Sequence, residues 1–527
     1  MQKELLLGDE AVAQAALHAG IGGAFAYPGT PATEIFEHVE RVVRRHALPV
    51  ATVWSTNEKV AYEEALGMSY AGRRALVSMK HVGLNVAADP FLNSALSGVN
   101  GGLVLAVADD PGMHSSQNEQ DSRVYGDFAQ VPIFEPATQQ EAYDLTLKAF
   151  AASEALGLPV MLRLVTRLAH SRAGVALHGA PVEGAALPQR PLPDPSNWTL
   201  VPANARRRFA ELTRLQARLV AESECAPENE LILAGRRGVI AAGHAVTYVR
   251  EALGGATDRS LLKVGRYPLP VARIRELVDH CDELLVVEES YPFIERRLTG
   301  LLGLPGKAVR GKLTGDLPPT GELTPELVAR ALGLETRATG TALSDLANRP
   351  PQLCRGCPHA DSFKALVEAV ATFANPLLFS DIGCYTLGVM PPYRAVHACV
   401  DMGASIAMAH GAARAGAYPV LCTIGDSTFG HSGMTALLSA LHDNADCTVL
   451  LLDNSAVAMT GVQPSHTTGE RLLAILRGLG VPEAHLHVIE PHPKHHAENV
   501  ALLKQAIAHR GLSVVVAERA CIHLKTH

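Results

Sequence analysis

Val420 to Asn454 reads VLCTIGDSTFGHSGMTALLSALHDNADCTVLLLDN, and its parts decide the fold. Val420 to Ile424 and Thr448 to Leu452 are apolar runs of strand length, and about Gly433 to His442 carries helical spacing between them. A strand, helix, strand unit of this kind makes a right-handed crossover and returns parallel to its first strand. Gly425-Asp426-Ser427 and Asp453-Asn454 then fall at the carboxyl ends of neighbouring strands about 5 Å apart, the edge where open α/β sheets bind ligands. Asp426 and Asn454 are expected to meet there. Their side-chain oxygens and the carbonyl of Ala456 would fill three positions of an octahedral Mg²⁺, leaving room for two diphosphate oxygens and a water. Gly-Asp and Asp-Asn pairs also make ordinary sheet-edge turns, so spacing alone leaves both readings open.

The alternation extends outward. From the start to about Gly174, the runs Gly23 to Tyr27, Pro49 to Trp54, Ala75 to Met79, Leu103 to Ala108 and Val160 to Leu164 read as strands between helical patterns, the mark of a parallel sheet covered on both faces. Pro188, Pro191, Pro193, Pro195 and Pro202 follow as a plausible linker. A charged helical segment, Arg206 to Glu224, leads into a second α/β region with strands Gly238 to Ala241 and Glu283 to Glu288 and a helix from Gly243 through Leu253. Gly306 to Pro351 is looser. The third region, from about Leu353, adds Leu378 to Ile382 and Ser513 to Ala517 as strands. The expected domains are residues 1–180, 200–340 and 350–527.

Composition bounds the function. The 527 residues call for several domains. Hydrophobic residues at 47% against charged residues at 19% exclude a disordered chain, and a net charge of -7 gives no basic footprint for nucleic acid. No stretch reaches the roughly 18 apolar residues of a membrane span, and Leu5 to Leu7 is too short for a signal-peptide core. A soluble, cytoplasmic protein is expected. Nine cysteines, an odd number thinly spread, argue against a disulfide framework.

Gly-Asp-Ser and Asp-Asn stand close to the thiamine diphosphate fingerprint, which is Gly-Asp-Gly, somewhat under thirty residues, then Asn-Asn. Ser427 and Asp453 are the departures. Such a site needs, on another domain, a carboxylate that hydrogen-bonds the aminopyrimidine and drives its imino tautomer. Glu58, in Thr56-Asn57-Glu58-Lys59, is the best candidate, although a first-turn Glu is also favoured by the helix dipole alone. Cys354-Arg355-Gly356-Cys357 opens the third region, Cys384 follows Ile382-Gly383, and Cys521 closes the last strand. Four thiolates suit a [4Fe-4S] cluster or structural zinc, while a lone Cys-x-x-Cys also serves redox dithiols and tight turns. Cys225, Cys281, Cys399, Cys422 and Cys447 lie in apolar or helical surroundings and read as small core residues.

Ala26 to Pro31, Thr56 to Ala61, Met79 to Pro90 (MKHVGLNVAADP), Ala108 to Arg123 (ADDPGMHSSQNEQDSR), Cys354 to His359, Gly425 to Phe429 and Met459 to Gly461 together carry a global resemblance. They resemble the large, thiamine-dependent subunits of the indolepyruvate ferredoxin oxidoreductase family. The resemblance implies an α/β protein of the thiamine diphosphate-binding fold, with two doubly wound parallel-sheet domains (pyrimidine and diphosphate) flanking a transketolase-C-like domain. It carries Glu58 onto the aminopyrimidine contact, Thr30 onto a substrate-facing turn, Asp426 and Asn454 onto Mg²⁺, and Cys354, Cys357, Cys384 and Cys521 onto a thiamine-proximal [4Fe-4S] cluster. Ser427 fits the family as well. The implied reaction is oxidative decarboxylation of an aryl 2-oxo acid with coenzyme A as acyl acceptor and an external electron acceptor, in a heterotetramer with a smaller subunit of about 200 residues. His81, His114 and Arg123 are candidates to bind the substrate carboxylate or shuttle protons; ordinary packing or surface roles stand beside this reading. The usual large subunit continues into a ferredoxin-like segment, whereas this chain stops at His527, so electrons are expected to pass to a partner. Two competing readings are a non-oxidative decarboxylase whose cysteines bind zinc or nothing, and a catalytically silent scaffold.

Overall fold

In both sheets that the alternation predicts, successive strand residues feed opposite cores, the property that forces helices onto both faces. The computed structural model describes residues 2–178, 190–191, 198–256, 258–335 and 351–526, and the chain divides into two compact units, Met1–Thr341 and Ala342–His527.

The first unit is built on a seven-stranded sheet in the order Arg266–Tyr267, Ile133–Phe134, Val160–Val165, Leu103–Asp109, Ala75–Lys80, Gly23–Ala26 and Ala51–Trp54. All neighbours are parallel except the first pair. Val77, Met79, Leu105 and Val107 enter one buried cluster, while Leu76, Val104, Ala106 and Leu162 enter the other. The five expected strands are present within a few residues. Two features were not expected. Gln2–Leu7 pairs antiparallel with Arg172–Leu177, from Gln2 opposite Leu177 to Leu7 opposite Arg172. Arg266–Tyr267, from the middle of the chain, adds the antiparallel edge of this sheet by pairing with Ile133–Phe134.

The middle residues form a five-stranded sheet in the order Ala308–Arg310, Glu283–Val287, Arg237–Ala242, Arg259–Val264 and Leu231–Ile232, of which only the last pair is antiparallel. Pro202 opens the helix Pro202–Glu224 in its first turn, where a missing N–H costs nothing. Pro188, Pro193 and Pro195 lie outside the described residues, as does residue range 336–350 of the looser stretch.

The second unit holds five parallel strands in the order Leu377–Ser380, Val420–Gly425, Cys447–Asp453, Ser513–Glu518 and Leu486–Ile489. Cys422, Ile424, Val449 and Leu451 pack on one face, and Leu421, Leu450 and Leu452 on the other. Gly425 stands opposite Leu452. The helix after Gly425 runs from Asp426 to His442 with a π-helical turn at Phe429–Gly433, a distortion frequent beside functional sites. Among the described residues no helix is long and apolar enough to cross a membrane.

Candidate functional site

In the second unit, the strand Val420–Gly425 must end in glycine because the ring of Tyr385 lies against it: a β-carbon on Gly425 would come within 2.6 Å of Tyr385 Cε1. The tyrosine hydroxyl lies 2.9 Å from both Ile382 O and Thr428 Oγ1, and Thr428 Oγ1 lies 3.0 Å from Ile382 O, a hydroxyl pair at one carbonyl that fixes the turn. Asp426 opens the helix with its side chain 2% exposed. Burial, with Asp453 nearby, pushes its carboxyl up to about 8, and its Oδ2 has no hydrogen-bond partner among the described residues.

Asn454 follows the neighbouring strand and is also buried, as is Ala456. With its amide nitrogen turned inward, Asn454 donates to Ala456 O at 2.8 Å and to Asp426 Oδ1 at 3.2 Å. With its oxygen inward, three oxygens converge with no proton between them. That arrangement, beside an orphaned buried carboxylate oxygen, is the donor set of a hard divalent cation and fits Mg²⁺. Asp453 has a different task. It accepts from Ser455 N–H (2.9 Å), Thr468 Oγ1 (2.6 Å) and Gly469 N–H (2.7 Å), holding the start of the helix Gly469–Gly478. Ser427 is half-buried on the turn itself.

The four singled-out cysteines come together in the same unit. Cys357 N–H donates to Cys354 O (3.1 Å), closing their turn, and Cys521 N–H donates to Asn454 O (2.9 Å), which ties the last cysteine to the oxygen cluster. Burial, then Cys357, Cys521 and Cys354, push the Cys384 thiol up to about 11; burial, with Cys354 and Cys521, raises Cys357 as well. All four thiols are free. Four such sulfurs suit a thiophilic centre. Of the remaining cysteines, Cys281, Cys422 and Cys447 are core residues as expected, whereas Cys225 is exposed and Cys399 half-buried. His359, quoted in the sequence but given no role, is buried, and neither ring nitrogen has a partner among the described residues. Burial, with Arg519 nearby, pushes it down to about 4, so it is neutral.

In the first unit, Glu58 is the first residue of the helix Glu58–Tyr70, whose Asn57 cap accepts from Val60 N–H at 2.8 Å. Glu58 is 5% exposed, and its side chain lies against Gly83, where a β-carbon would sit 2.6 Å from Oε1 and 2.7 Å from Cγ. Lys80, at the carboxyl end of the strand Ala75–Lys80, is the residue that sequence reasoning missed. Its stem packs on Gly29, its Nζ donates to Ser115 O (3.1 Å), and burial brings it down to about 8 against the pull of Asp110 and Glu58. The available signal was a charged residue ending an otherwise apolar strand at the ligand edge. Asp110 remains anionic: burial pushes it up, but hydrogen bonds from Ser116, Ser115 and Thr166 outweigh that.

Thr30 is half-buried on the adjacent turn, with its carbonyl accepting from Ser115 Oγ at 3.0 Å. His81 is buried at the start of the helix His81–Ser97 and donates through Nε2 to Asn118 O (3.1 Å). Its Nδ1 has no partner among the described residues. His114 is largely exposed and faces Glu322 at 3.6 Å. Arg123 does not meet its expectation. It is fully buried and spent on Asp121 (2.5 Å), Glu288 (3.0 Å) and Tyr267 OH (3.2 Å), so no donor is left to receive a substrate carboxylate.

Comparison with known proteins identifies the family and the fold. Residues 14–194 match the family described as pyruvate flavodoxin/ferredoxin oxidoreductase, thiamine diphosphate-binding, and residues 381–517 match the thiamine pyrophosphate enzyme, C-terminal TPP binding domain. Indolepyruvate oxidoreductase subunit IorA of Archaeoglobus fulgidus is 38% identical over 99% of this chain and 86% of its own length. The subunit of the same name from Thermococcus kodakarensis has the same identity and coverage. Among solved structures, 2-oxoglutarate:ferredoxin oxidoreductase from Magnetococcus marinus aligns with a TM-score of 0.52 at 16% identity, covering 63% of this chain and 65% of that one. The fold is that of thiamine diphosphate-dependent oxidoreductases, α/β with parallel-sheet domains.

Proposed function

The chain belongs to the indolepyruvate oxidoreductase subunit IorA family, and from that premise we propose that it oxidatively decarboxylates aryl 2-oxo acids of the indolepyruvate type. Coenzyme A takes the acyl group. When bound, thiamine diphosphate supplies a nucleophilic carbon and an electron sink, and a [4Fe-4S] cluster accepts single electrons.

This chain's residues hold and protonate. Asp426, Asn454 and the Ala456 carbonyl would hold Mg²⁺, which would supply charge neutralisation for the diphosphate, while Gly425 and Ser427 shape the turn. Glu58 would accept a hydrogen bond from the aminopyrimidine and supply general acid–base chemistry there, and its burial would keep water from competing for that bond. Lys80 offers a cation to the substrate carboxylate, Thr30 shapes the turn beside it, and His81 relays protons. His114, exposed opposite Glu322, stands outside the chemical step. Residues 1–180, 200–340 and 350–527 serve as pyrimidine-binding, transketolase-C-like and diphosphate-binding domains. A smaller subunit of about 200 residues completes a cytoplasmic heterotetramer.

Cys354, Cys357, Cys384 and Cys521 hold the cluster. The effect of Cys357, Cys521 and Cys354 on the Cys384 thiol supports one shared centre for the four sulfurs. The observation that carries the reading is the orphaned, buried Asp426 carboxylate facing Asn454 and Ala456. Anaerobic purification followed by iron, sulfide and thiamine analysis tests it. About four irons per chain with bound cofactor is expected, and Asp426→Ala should lose the cofactor but keep the iron. Zinc at the thiols, or turnover without an electron acceptor, would refute it.

A further inference from the structure

Asp9 is the second residue of the helix Gly8–His18 and is 0% exposed, yet neither of its carboxylate oxygens has a hydrogen-bond partner among the described residues. A buried carboxyl group so placed is costly unless something absent from the protein's own atoms satisfies it. Two other ligand-type side chains converge on it. Glu34 lies in the first turn of the helix Thr33–His46, and His170 ends the short helix Thr166–His170. The ligand atoms of all three lie within 4.8 Å of one another. His170 Nε2 pairs with Glu34 Oε2 at 3.3 Å, a hydrogen-bonded ion pair that a metal ion would replace, since neighbouring ligands of a tetrahedral ion with bonds of about 2.1 Å stand roughly 3.4 Å apart.

We propose that Asp9, Glu34 and His170 bind a divalent transition-metal ion, Zn²⁺ above all, at a site separate from the second unit's oxygen and sulfur clusters. Two carboxylates neutralise the ion. The imidazole favours zinc over Mg²⁺ or Ca²⁺, and the absence of a thiolate disfavours softer ions. Entry is open because the side chains of Glu34 and His170 are 34% and 33% exposed, which also leaves a position for water. Glu10 does not compete, being held by Arg41 (2.9 Å) and Leu7 N–H (3.0 Å). Both carboxylates sit in helix first turns, but about half a positive charge at each helix end is outweighed by two full negative charges. The ion would staple residues that lie far apart in the chain and stiffen the turn at Thr30, whose neighbour Gly29 donates N–H to Thr33 Oγ1 at 3.0 Å.

A proton shared between Asp9 and Glu34 would produce the same convergence without a metal, and zinc counting separates the two. The full chain, Asp9→Asn and His170→Gln are each saturated with ZnCl₂, freed of excess and measured by plasma mass spectrometry. Thiols common to all three cancel in the difference. The native protein should hold one more zinc per chain than either variant, and zinc should raise its Tm but not that of His170→Gln. His170 is partly exposed, so this variant keeps the test open even where Asp9→Asn does not fold. Equal zinc in native protein and His170→Gln overturns the proposal.

Discussion

Glu58 and Gly83 work as a pair, since the glycine's missing side chain is what lets the carboxylate lie where it does. Glu58→Gln should lower kcat about a hundredfold or more, the size expected when a general acid–base group is lost, while thiamine diphosphate still binds in a calorimetric titration. Gly83→Ala should have the same sign of effect with the acid's identity unchanged: its methyl displaces the buried Glu58 carboxylate, so turnover falls while circular dichroism still reports a folded chain. Asp426 predicts a pH dependence. Its folded carboxyl is raised to about 8, so Mg²⁺ must displace a proton below that pH. The Kd for Mg²⁺-dependent cofactor binding should therefore rise by up to about tenfold for each unit of pH below 8, measurable by fluorescence titration at pH 6, 7 and 8.

At the scale of elements, the first unit is tied together by two fully buried arginines. Arg163 pairs with Asp109 (2.7 Å) and Glu135, and Arg123 with Asp121 and Glu288, so strands and loops from residues 109 to 288 share one charge network. Such networks add little against an apolar replacement of the whole set, but breaking one member leaves uncompensated buried charge. Arg163→Met should cost about 3–5 kcal/mol, read from the urea midpoint. This network also explains why Arg123 was misread. Its sequence neighbours mark a ligand loop, whereas Glu288 and Tyr267 lie more than a hundred residues away. Lys80 escaped notice for a similar reason, because its burial depends on Gly29 and Asp110.

At the scale of the whole chain, pH should act on stability through Glu289. Burial raises its carboxyl from 4.5 to about 7, against the pull of Leu323 N–H and Arg163. The folded state therefore holds a proton that the unfolded state has released. The stabilisation is complete below pH 4.5 and is lost as pH rises through about 7, a span worth about 3 kcal/mol. Glu289→Gln should flatten that slope, with urea midpoints at pH 5 and pH 8 drawing together.

The parallel sheets and the meeting of Asp426 with Asn454 were legible because both follow from local periodicity and a single crossover of under thirty residues, whose handedness chirality imposes. Pairings between remote segments were not. Gln2–Leu7 finds Arg172–Leu177, and Arg266–Tyr267 joins the first sheet, through backbone hydrogen bonds that carry no side-chain pattern. Local periodicity and spacing thus determined the α/β class and the strand edge at which Asp426 and Asn454 meet, while the four-cysteine set was singled out through the family resemblance. Which charges are buried, which are spent on one another and which, like Asp9, stay unpartnered was decided only by tertiary structure, because desolvation and ion pairing depend on neighbours that chain folding brings from a distance.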